Sequence, residues 1–432
     1  MNMKIKIRYK TIPTILIYVQ LFYVSIVCLL VDAGFSNSIT TVCDGINIIL
    51  MIYMLKFYGK VRKSQNLYKT FIICYLLFFI FGTLSSLING FKFIQWIWSI
   101  RNFGRFFIFF NACCIFLELN DVERIKKIIY ILGHVNFIIA LVQFILLGKS
   151  GDYIGGLFGT SGGVANTWLN VFLVANIVIQ FSEWLLNKNK IRQLIFSLVE
   201  GICIAVIAEL KFYYIEVLIL VAIGFIVCKK NKKSIEKLII IVCLAIAVLS
   251  ISVPFLYKLF PNFEKFFSLE VILKTATSSY TGSGDLGRLT AIYEIASKIF
   301  KNDFLKIFLG IGLGNGEYSG TFKELQSDFY FKYLYTKYFW FTDAIIMVQN
   351  GLMGIVLYIG AFWSIIKSSA RQLKNEKQTE VQLISLLMGL AGLMLFIYNV
   401  SLNTESAYIY YLVLSFGIIE KKTSRRGKKG DT

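Results

Sequence analysis

Apolar and polar positions divide the chain into long apolar runs separated by mostly short polar segments. An apolar run of about 18 residues or more can cross a bilayer as an α-helix, with every backbone hydrogen bond made inside the helix. The pattern predicts an all-α polytopic membrane protein, with a single transmembrane domain over residues 1–432 and about twelve transmembrane helices. The runs lie near residues 12–31, 38–57, 70–89, 95–117, 127–148, 164–186, 192–210, 212–228, 236–254, 341–366, 380–400 and 403–419.

The longest connection, from about residue 254 to residue 340, lies between the ninth and tenth runs. Ser283 or Asp285 can cap a helix that starts near Arg288, and apolar residues follow at helical spacing as far as Phe300. Such an amphipathic helix can lie on the membrane surface or close over a cavity. The glycines that follow predict a tight turn, with phosphate binding as the alternative. These are Gly310, Gly312, Gly314 and Gly316.

Basic residues are concentrated in every second connection. They precede the first run, follow the second, fourth, sixth, eighth and tenth runs, and fill the tail over residues 420–432. Cytoplasmic loops of membrane proteins carry such an excess of Lys and Arg. The pattern therefore predicts cytoplasmic termini, a cytoplasmic 420–432 tail and an extracytoplasmic 254–340 loop. The formal net charge of +20 is spread over these segments, which argues against nucleic acid as a partner.

Composition supports the same class of protein. The chain is 57% hydrophobic and only 16% charged, whereas soluble domains carry about 25% charged residues. All eight cysteines fall within predicted spans, so we expect no disulfide framework. His134 is the only histidine and no Cys-x-x-Cys motif occurs, so we expect neither a metal site nor a cofactor.

Ionisable residues within or beside the runs are a sharper signal, because charges in a bilayer are costly and usually serve a site or pair with one another. Most of them lie at the depth predicted for the outer leaflet. The cations at this depth are Arg101, Arg105 and Lys211, and the carboxylates are Asp44, Glu209, Glu216, Asp343 and Glu405. Two interpretations are open: salt bridges that orient the helices, or a shared functional site.

The residue types suggest the chemistry of such a site. Fixed cations suit the diphosphate of a lipid-anchored substrate, because arginine meets phosphate oxygens with two parallel donors. Cations also stabilise the charge that develops on a departing diphosphate. We therefore predict transfer of a glycan from a lipid diphosphate to a sugar hydroxyl. The predicted diphosphate-binding residues are Arg288, Lys211, Arg101 and Arg105.

A carboxylate is needed to take the proton from the acceptor hydroxyl. Asp343, at the outer start of the tenth run, is the first candidate for this catalytic base, and Glu209 and Asp285 are the others. The alternative role for Asp343 is a helix cap, because Thr342 and Asp343 both favour a helix start.

Four segments together resemble the O-antigen ligase and polysaccharide polymerase superfamily. In the outer loop, GSGDLGRLTAIYEIASKIFKNDFLKIFLGIGLGNG (282–316) resembles an arginine that opens an amphipathic helix before a Gly-x-Gly turn. FTDAIIMVQNGLMGIVLYIG (341–360) is similar to the span that follows that loop. GLFGTSGGVANTW (156–168) and AELKFYYIE (208–216) resemble the family's Gly-rich stretch and its short basic turn.

The resemblance implies a Wzy-type polymerase with a GT-C-like fold. Such an enzyme is a metal-independent glycosyltransferase of the bacterial cytoplasmic membrane that needs no cofactor. It joins undecaprenyl-diphosphate-linked oligosaccharide repeat units of a capsule, exopolysaccharide or O-antigen on the outer face. The implied partners are this substrate, the membrane lipid, and a flippase and a chain-length regulator of the same pathway.

One departure from the family pattern bears on the choice within the superfamily. Ligases and many relatives carry a histidine in the outer loop or before the tenth span, where this chain has Trp340 and Phe341. This favours a polymerase over an O-antigen ligase-like transferase. A flippase or transporter of lipid-linked oligosaccharides is the other alternative. However, the longest loop follows the ninth run rather than joining two six-helix halves.

Overall fold

The computed structural model describes residues 2–187, 190–228, 284–320, 322–375 and 378–430. Across these ranges the chain is helical and contains no β-strand. The α-helices are α1 (Asn2–Asp32), α2 (Val42–Lys56), α3 (Tyr58–Gln65), α4 (Lys69–Ile88), α5 (Phe93–Phe116), α6 (Leu119–Ile145), α7 (Asn170–Asn187), α8 (Ile191–Ile207), α9 (Lys211–Val227), α10 (Ala291–Glu294), α11 (Phe304–Leu309), α12 (Asp328–Tyr333), α13 (Thr342–Asn375), α14 (Glu380–Tyr398), α15 (Ala407–Leu414) and α16 (Phe416–Gly430).

Short helical segments of other types lie between them. Two π-helical segments, Ala165–Leu169 and Ile295–Ile299, adjoin α7 and α10. The 3₁₀ turns are Asn37–Thr41, Gly151–Tyr153, Gly156–Phe158, Lys323–Leu325, Leu334–Thr336, Tyr338–Trp340 and Ser401–Asn403.

Seven helical segments among the described residues are long and apolar enough to cross a membrane. They are Lys10–Asp32, Asn37–Lys56, Lys69–Ile88, Leu119–Ile145, Ala165–Leu186, Thr342–Lys374 and Glu380–Tyr398. The chain therefore has the character of a helical membrane protein. Many apolar side chains on these helices, such as Leu55 and Ile138, are exposed on the bundle surface. In a bilayer this surface would face lipid.

The other predicted spans have different outcomes. Run 95–117 is α5, while runs 192–210 and 212–228 are α8 and α9, which have 17 residues each. Run 403–419 is divided between the turn Ser401–Asn403, α15 and the start of α16. The ninth predicted run, 236–254, and the first part of the long loop, as far as Ser283, lie outside the described residues.

The centre of the bundle is α7, together with the π-helical segment before it. Within Ala165–Leu186, 94% of the most apolar stretch of 18 residues is buried inside the protein. Helices α8, α9, α14 and α15 pack around α7, and α13 packs against both α14 and α4. Aromatic side chains of α4 and α15 pack together, and the hydroxyls of Tyr75 and Tyr411 form a hydrogen bond of 2.6 Å between the two helices. Residues 284–320 and 322–341 lie at one end of this bundle, which we call the loop end.

A break in α13 receives the glycine-rich turn of the loop. Gly351 has a φ of 60° and a ψ of −160°, so the helical hydrogen-bond ladder is interrupted there. The carbonyls of Val348 and Gln349 accept hydrogen bonds from the amides of Ile311 (2.8 Å) and Gly312 (2.9 Å) instead. The loop is thereby attached to α13 by backbone contacts rather than lying loosely over the bundle.

The same turn also docks against α4 and makes a further contact with α13. The Leu313 amide donates to the Gly82 carbonyl at 3.0 Å, and the Gly314 amide donates to the Gln349 side chain at 3.1 Å. A Cβ on Gly312 would lie 2.2 Å from the Ser86 backbone. Only glycine fits so close an approach. Because these amides already bond to protein atoms, the turn interpretation of the Gly-x-Gly run describes the structure and the phosphate-binding alternative does not.

The helix predicted from Arg288 begins at Ala291 and continues through its π-helical segment to Ile299. Ile295 and Ile299 are buried, as the apolar stripe predicts. Leu289 is 61% exposed and lies before the helix, outside the buried stripe. This short helix packs against α13 at the loop end. It thus lies on the bundle itself.

Candidate functional site

The first polar cluster at the loop end is built around Arg288 and consists of Arg288, Lys211, Asp152, Asn166 and Tyr398. The Arg288 guanidinium carbon lies 4.4 Å from the centroid of the Tyr398 ring. The Tyr398 hydroxyl donates to Asn166 Oδ1 at 3.1 Å, and Asn166 Nδ2 donates to the Asp152 carboxylate. We call this group the Arg288 cluster.

Different elements deliver these residues to one place. Tyr398 is the last residue of α14, Lys211 is the first residue of α9, and Asp152 lies in a 3₁₀ turn. Phe212 follows Lys211 and stacks on Tyr398 with ring centroids 3.8 Å apart. This aromatic contact fixes the start of α9 against the end of α14.

The charges in this cluster act on one another. Burial raises the pKa of Asp152, and this effect outweighs the opposite influence of Arg288, Asn166 and Lys211. The charges of Glu209 and Arg288 both act on Lys211. Two of the four predicted diphosphate-binding cations, Arg288 and Lys211, are therefore brought together beside carboxylates.

Glu209 belongs to the edge of this cluster. It sits in the turn between α8 and α9 with a φ of 53°, a left-handed conformation that is uncommon for a residue other than glycine. The amide of Lys211 donates to the Glu209 carbonyl at 2.9 Å. The Glu209 carboxylate lies against Gly151, next to Asp152. Its predicted catalytic role remains a prediction.

A second group of polar residues surrounds a cavity of about 270 Å³ between α5, α13 and the loop. Its wall includes Glu317, which is 5% exposed. Asn102 Nδ2 donates to Glu317 Oε1 at 2.5 Å, and Gln349 Nε2 donates to Glu317 Oε2 at 3.1 Å. We call this space the Glu317 cavity. The cavity is also lined by Trp98, Arg101, Tyr318, Phe322, Phe339, Asn403 and Glu405.

The Glu317 carboxylate is held by a network that starts on α5. Ser99 Oγ donates to Gln349 Oε1 at 2.5 Å, which leaves the Gln349 amide nitrogen directed at Glu317. Burial raises the pKa of Glu317 to about 7, although Gln349, Ser99, Asn102 and Arg101 act in the opposite direction. A carboxyl group in this range can exchange a proton near neutral pH.

The other two predicted cations form ion pairs in this region. Arg101 donates to Asp44 from Nε at 3.1 Å and also from Nη2, and its guanidinium lies 4.4 Å from the Trp98 ring centroid. Arg105 is 5% exposed and pairs with Glu405 at 2.6 Å. The four predicted cations are thus divided into two groups: Arg288 and Lys211 lie together in the Arg288 cluster, whereas Arg101 and Arg105 each form a separate ion pair. Arg101 and Arg105 adopt the salt-bridge arrangement that the sequence left open.

Asp343 occupies the first turn of α13. It is 2% exposed, and its Oδ1 accepts a hydrogen bond from the Ala344 amide at 2.8 Å. The Thr342 amide and hydroxyl both donate to the Asn399 carbonyl, at 3.0 and 2.8 Å. Asp343 thus satisfies one first-turn amide, which has no partner within the helix, and does not line the Glu317 cavity. Its role as a base remains a prediction. Asp285, the third candidate, is also 2% exposed.

The segment between α14 and α15 connects the two groups. Asn399 Nδ2 donates to the Asn166 carbonyl in the Arg288 cluster at 2.5 Å, and Asn403 lines the Glu317 cavity. Four residues of extended chain span at most about 14 Å, which sets an upper limit on the separation of these two Cα atoms. The Arg288 cluster and the Glu317 cavity are therefore neighbours at the loop end.

Sequence reasoning missed Glu317 and Asn403. Glu317 follows Gly316 directly but lies outside the apolar runs, so an argument based on depth in the membrane passed over it. A glycine-rich turn that ends in a carboxylate was the signal that could have identified it.

In the part of the chain that the structure describes, no group of three or more His, Cys, Asp or Glu residues is placed to hold a metal ion.

No protein-family model matches this chain, and no curated protein matches it either.

Proposed function

We propose that the chain is a Wzy-type polysaccharide polymerase of the bacterial cytoplasmic membrane. It would join undecaprenyl-diphosphate-linked oligosaccharide repeats on the outer face, with about twelve spans and both termini in the cytoplasm. The observation that carries the proposal is the meeting of Arg288 and Lys211 beside the partly buried carboxylates of Asp152 and Glu209, next to the Glu317 cavity. The four-motif resemblance supports the same assignment.

The proposed reaction uses the Arg288 cluster to hold the diphosphate. Arg288 supplies two parallel donors to phosphate oxygens, while Lys211 supplies a compact positive charge. Both charges stabilise the leaving diphosphate as its bond to the donor sugar breaks. Arg101 and Arg105 would contact the substrate only after their ion pairs with Asp44 and Glu405 open, so their part in diphosphate binding is secondary.

Deletion of the protein tests the function. Cells without it should still make and export single lipid-linked repeats but should form no long chains, which gel sizing of the lipid-linked glycans measures. Repeats that accumulate only on the cytoplasmic face would instead indicate a flippase. Long chains that form on the carrier but fail to reach their final acceptor would indicate a ligase.

Substitution of Arg288 tests the diphosphate contact. Arg288→Ala should remove roughly 2–4 kcal/mol of transition-state stabilisation, which lowers the polymerisation rate about 30- to 1000-fold. Arg288→Lys should restore only part of the rate, because an ammonium group cannot make the two-pronged contact. Arg192→Ala is the matched control, since Arg192 is exposed at the start of α8. Normal polymer from Arg288→Ala at equal protein level would remove Arg288 from the site.

A further inference from the structure

We propose that the Glu317 cavity binds the terminal sugar of the acceptor glycan and that Glu317 accepts the proton of the attacking hydroxyl. This inference rests on the proposed function, because it assigns the second substrate of the same reaction. It places the acceptor in a different part of the loop end from the donor diphosphate.

The size and lining of the cavity fit a sugar. At about 270 Å³ it lies just below the range of about 300–1,000 Å³ that is usual for pockets of drug-sized ligands. It can therefore hold a small part of an oligosaccharide rather than a whole repeat unit. Trp98, Tyr318, Phe322 and Phe339 contribute aromatic surface, and Tyr318 and Phe339 stack with centroids 4.6 Å apart. Aromatic faces provide apolar contact for the C–H face of a sugar ring, while polar groups fix its orientation.

Asn403 supplies an independent indication of a ligand. Asn403 lines the cavity, and within the described part of the chain neither its side-chain amide nitrogen nor its amide oxygen has a hydrogen-bond partner. Both atoms are buried, and unsatisfied buried polar groups are costly. A sugar hydroxyl both donates and accepts, so it can satisfy either atom of the amide.

Glu317 lies on the same wall in a position suited to proton transfer. Its two oxygens are fixed by Asn102 and Gln349, so the carboxylate is oriented before a substrate binds. The charged and titratable groups around it are Arg101, paired with Asp44, the Tyr338 hydroxyl and Glu405. With its raised pKa near 7, Glu317 can be deprotonated before the reaction and can hold a proton after it.

The proposed step balances without a metal or redox partner. The oxygen of the acceptor hydroxyl attacks the anomeric carbon of the donor sugar and forms the new glycosidic C–O bond. The bond between that carbon and the phosphate oxygen breaks, and the lipid diphosphate leaves with the electron pair. The hydroxyl proton goes to Glu317. The short Asn399–Asn403 connection makes the diphosphate site and the cavity that holds this carboxylate neighbours at the loop end.

Binding of the acceptor can be measured without turnover. The probe is the free oligosaccharide, released by mild acid from the lipid-linked repeats of the deletion strain. It should raise the melting temperature of the purified full-length protein, and also that of the Arg288→Ala variant. Asn403→Ala should need about tenfold more oligosaccharide for the same shift, because one buried hydrogen-bonding group is lost. Equal shifts for wild type and Asn403→Ala, or no shift for wild type, would overturn the acceptor subsite.

Proton transfer is tested by rate and pH profile. Glu317→Gln should bind the oligosaccharide like wild type, but should polymerise purified lipid-linked repeats about 10²- to 10⁴-fold more slowly. The wild-type rate should fall as the pH drops through about 7, because only the deprotonated carboxylate accepts a proton. The residual rate of Glu317→Gln should lack this dependence.

The control is Glu324→Gln, an exposed carboxylate of the same loop, which should match wild type. A fully active Glu317→Gln variant, or one that keeps the wild-type pH profile, would refute the assignment of the base. Failure of the proposed function gives a different result, since the wild-type protein would then make no polymer from the lipid-linked repeats.

Discussion

Gly312 gives a direct test of how the loop is attached to the helices. A Cβ at this position would lie 2.2 Å from the Ser86 Cα and backbone nitrogen, atoms that cannot move without shifting α4. Gly312 also has a φ of +96°, which strains any L-residue. Gly34 is a matched control, because it has a φ of +97° and a Cβ there would meet nothing within 4 Å.

The comparison separates backbone strain from steric exclusion. Both Gly34→Ala and Gly312→Ala carry about 1–2 kcal/mol of strain from the left-handed conformation. Gly312→Ala adds about 1–3 kcal/mol for overpacking. If the turn withdraws from the helices, three backbone hydrogen bonds are lost, each worth about 1 kcal/mol net. In these three hydrogen bonds the donors are the backbone N–H groups of Ile311, Gly312 and Leu313. We therefore expect Gly312→Ala to lose about 1–3 kcal/mol more than Gly34→Ala.

Thermal unfolding of the detergent-solubilised protein measures this difference. The Gly34→Ala variant should melt slightly below wild type, and Gly312→Ala should melt well below both. The Gly312→Ala variant should also lose activity even where it remains folded, because the same turn carries Glu317. Equal melting temperatures for the two variants would refute the docking of the turn against α4.

Three further predictions address topology, ion pairing and the base. A reporter fused at residue 300 should indicate the outer face and one at residue 190 the cytoplasm; a cytoplasmic signal at residue 300 would place the proposed site on the wrong side. Arg105→Met and Glu405→Gln should each destabilise the protein by about 3–5 kcal/mol in thermal or denaturant unfolding, because each leaves a buried charge without its partner. The double variant should lose less than the sum, and strictly additive losses would show that the pair is not coupled. Asp343→Asn should remain active in the sizing assay as a residue of the helix start, whereas a folded, inactive variant that accumulates single repeats would identify Asp343 as the base.

The apolar pattern predicted the long helices well, because about 18 apolar residues in sequence leave few alternatives to a membrane-spanning helix. It was less informative for run 403–419. There the turn Ser401–Asn403 and the break at Ser415 divide the segment, and α15 is buried entirely among other helices. A buried helix and a lipid-facing helix have similar composition, so periodicity could not separate the two environments.

The candidate site was only partly predictable for a related reason. The loop position of Arg288 and the depth of Lys211 predicted the same face for both, and the structure brings them together. Pairing could not be predicted, because Arg105 and Glu405 are 300 residues apart in sequence. Two cations at the same depth can contact one anion or two separate carboxylates. Only the rotation of each helix about its axis decides between these arrangements.

The break at Gly351 is the feature that links the bundle to the proposed chemistry. A continuous helix would use the carbonyls of Val348 and Gln349 within its own ladder. Because the helix is interrupted, these carbonyls hold the glycine-rich turn, and that turn ends at Glu317. The Gln349 side chain then donates to the Glu317 carboxylate itself. One residue of α13 therefore fixes both the backbone of the loop and the carboxylate that we propose as the base. The orientation of Glu317 therefore depends on the same residue that holds the glycine-rich turn in place.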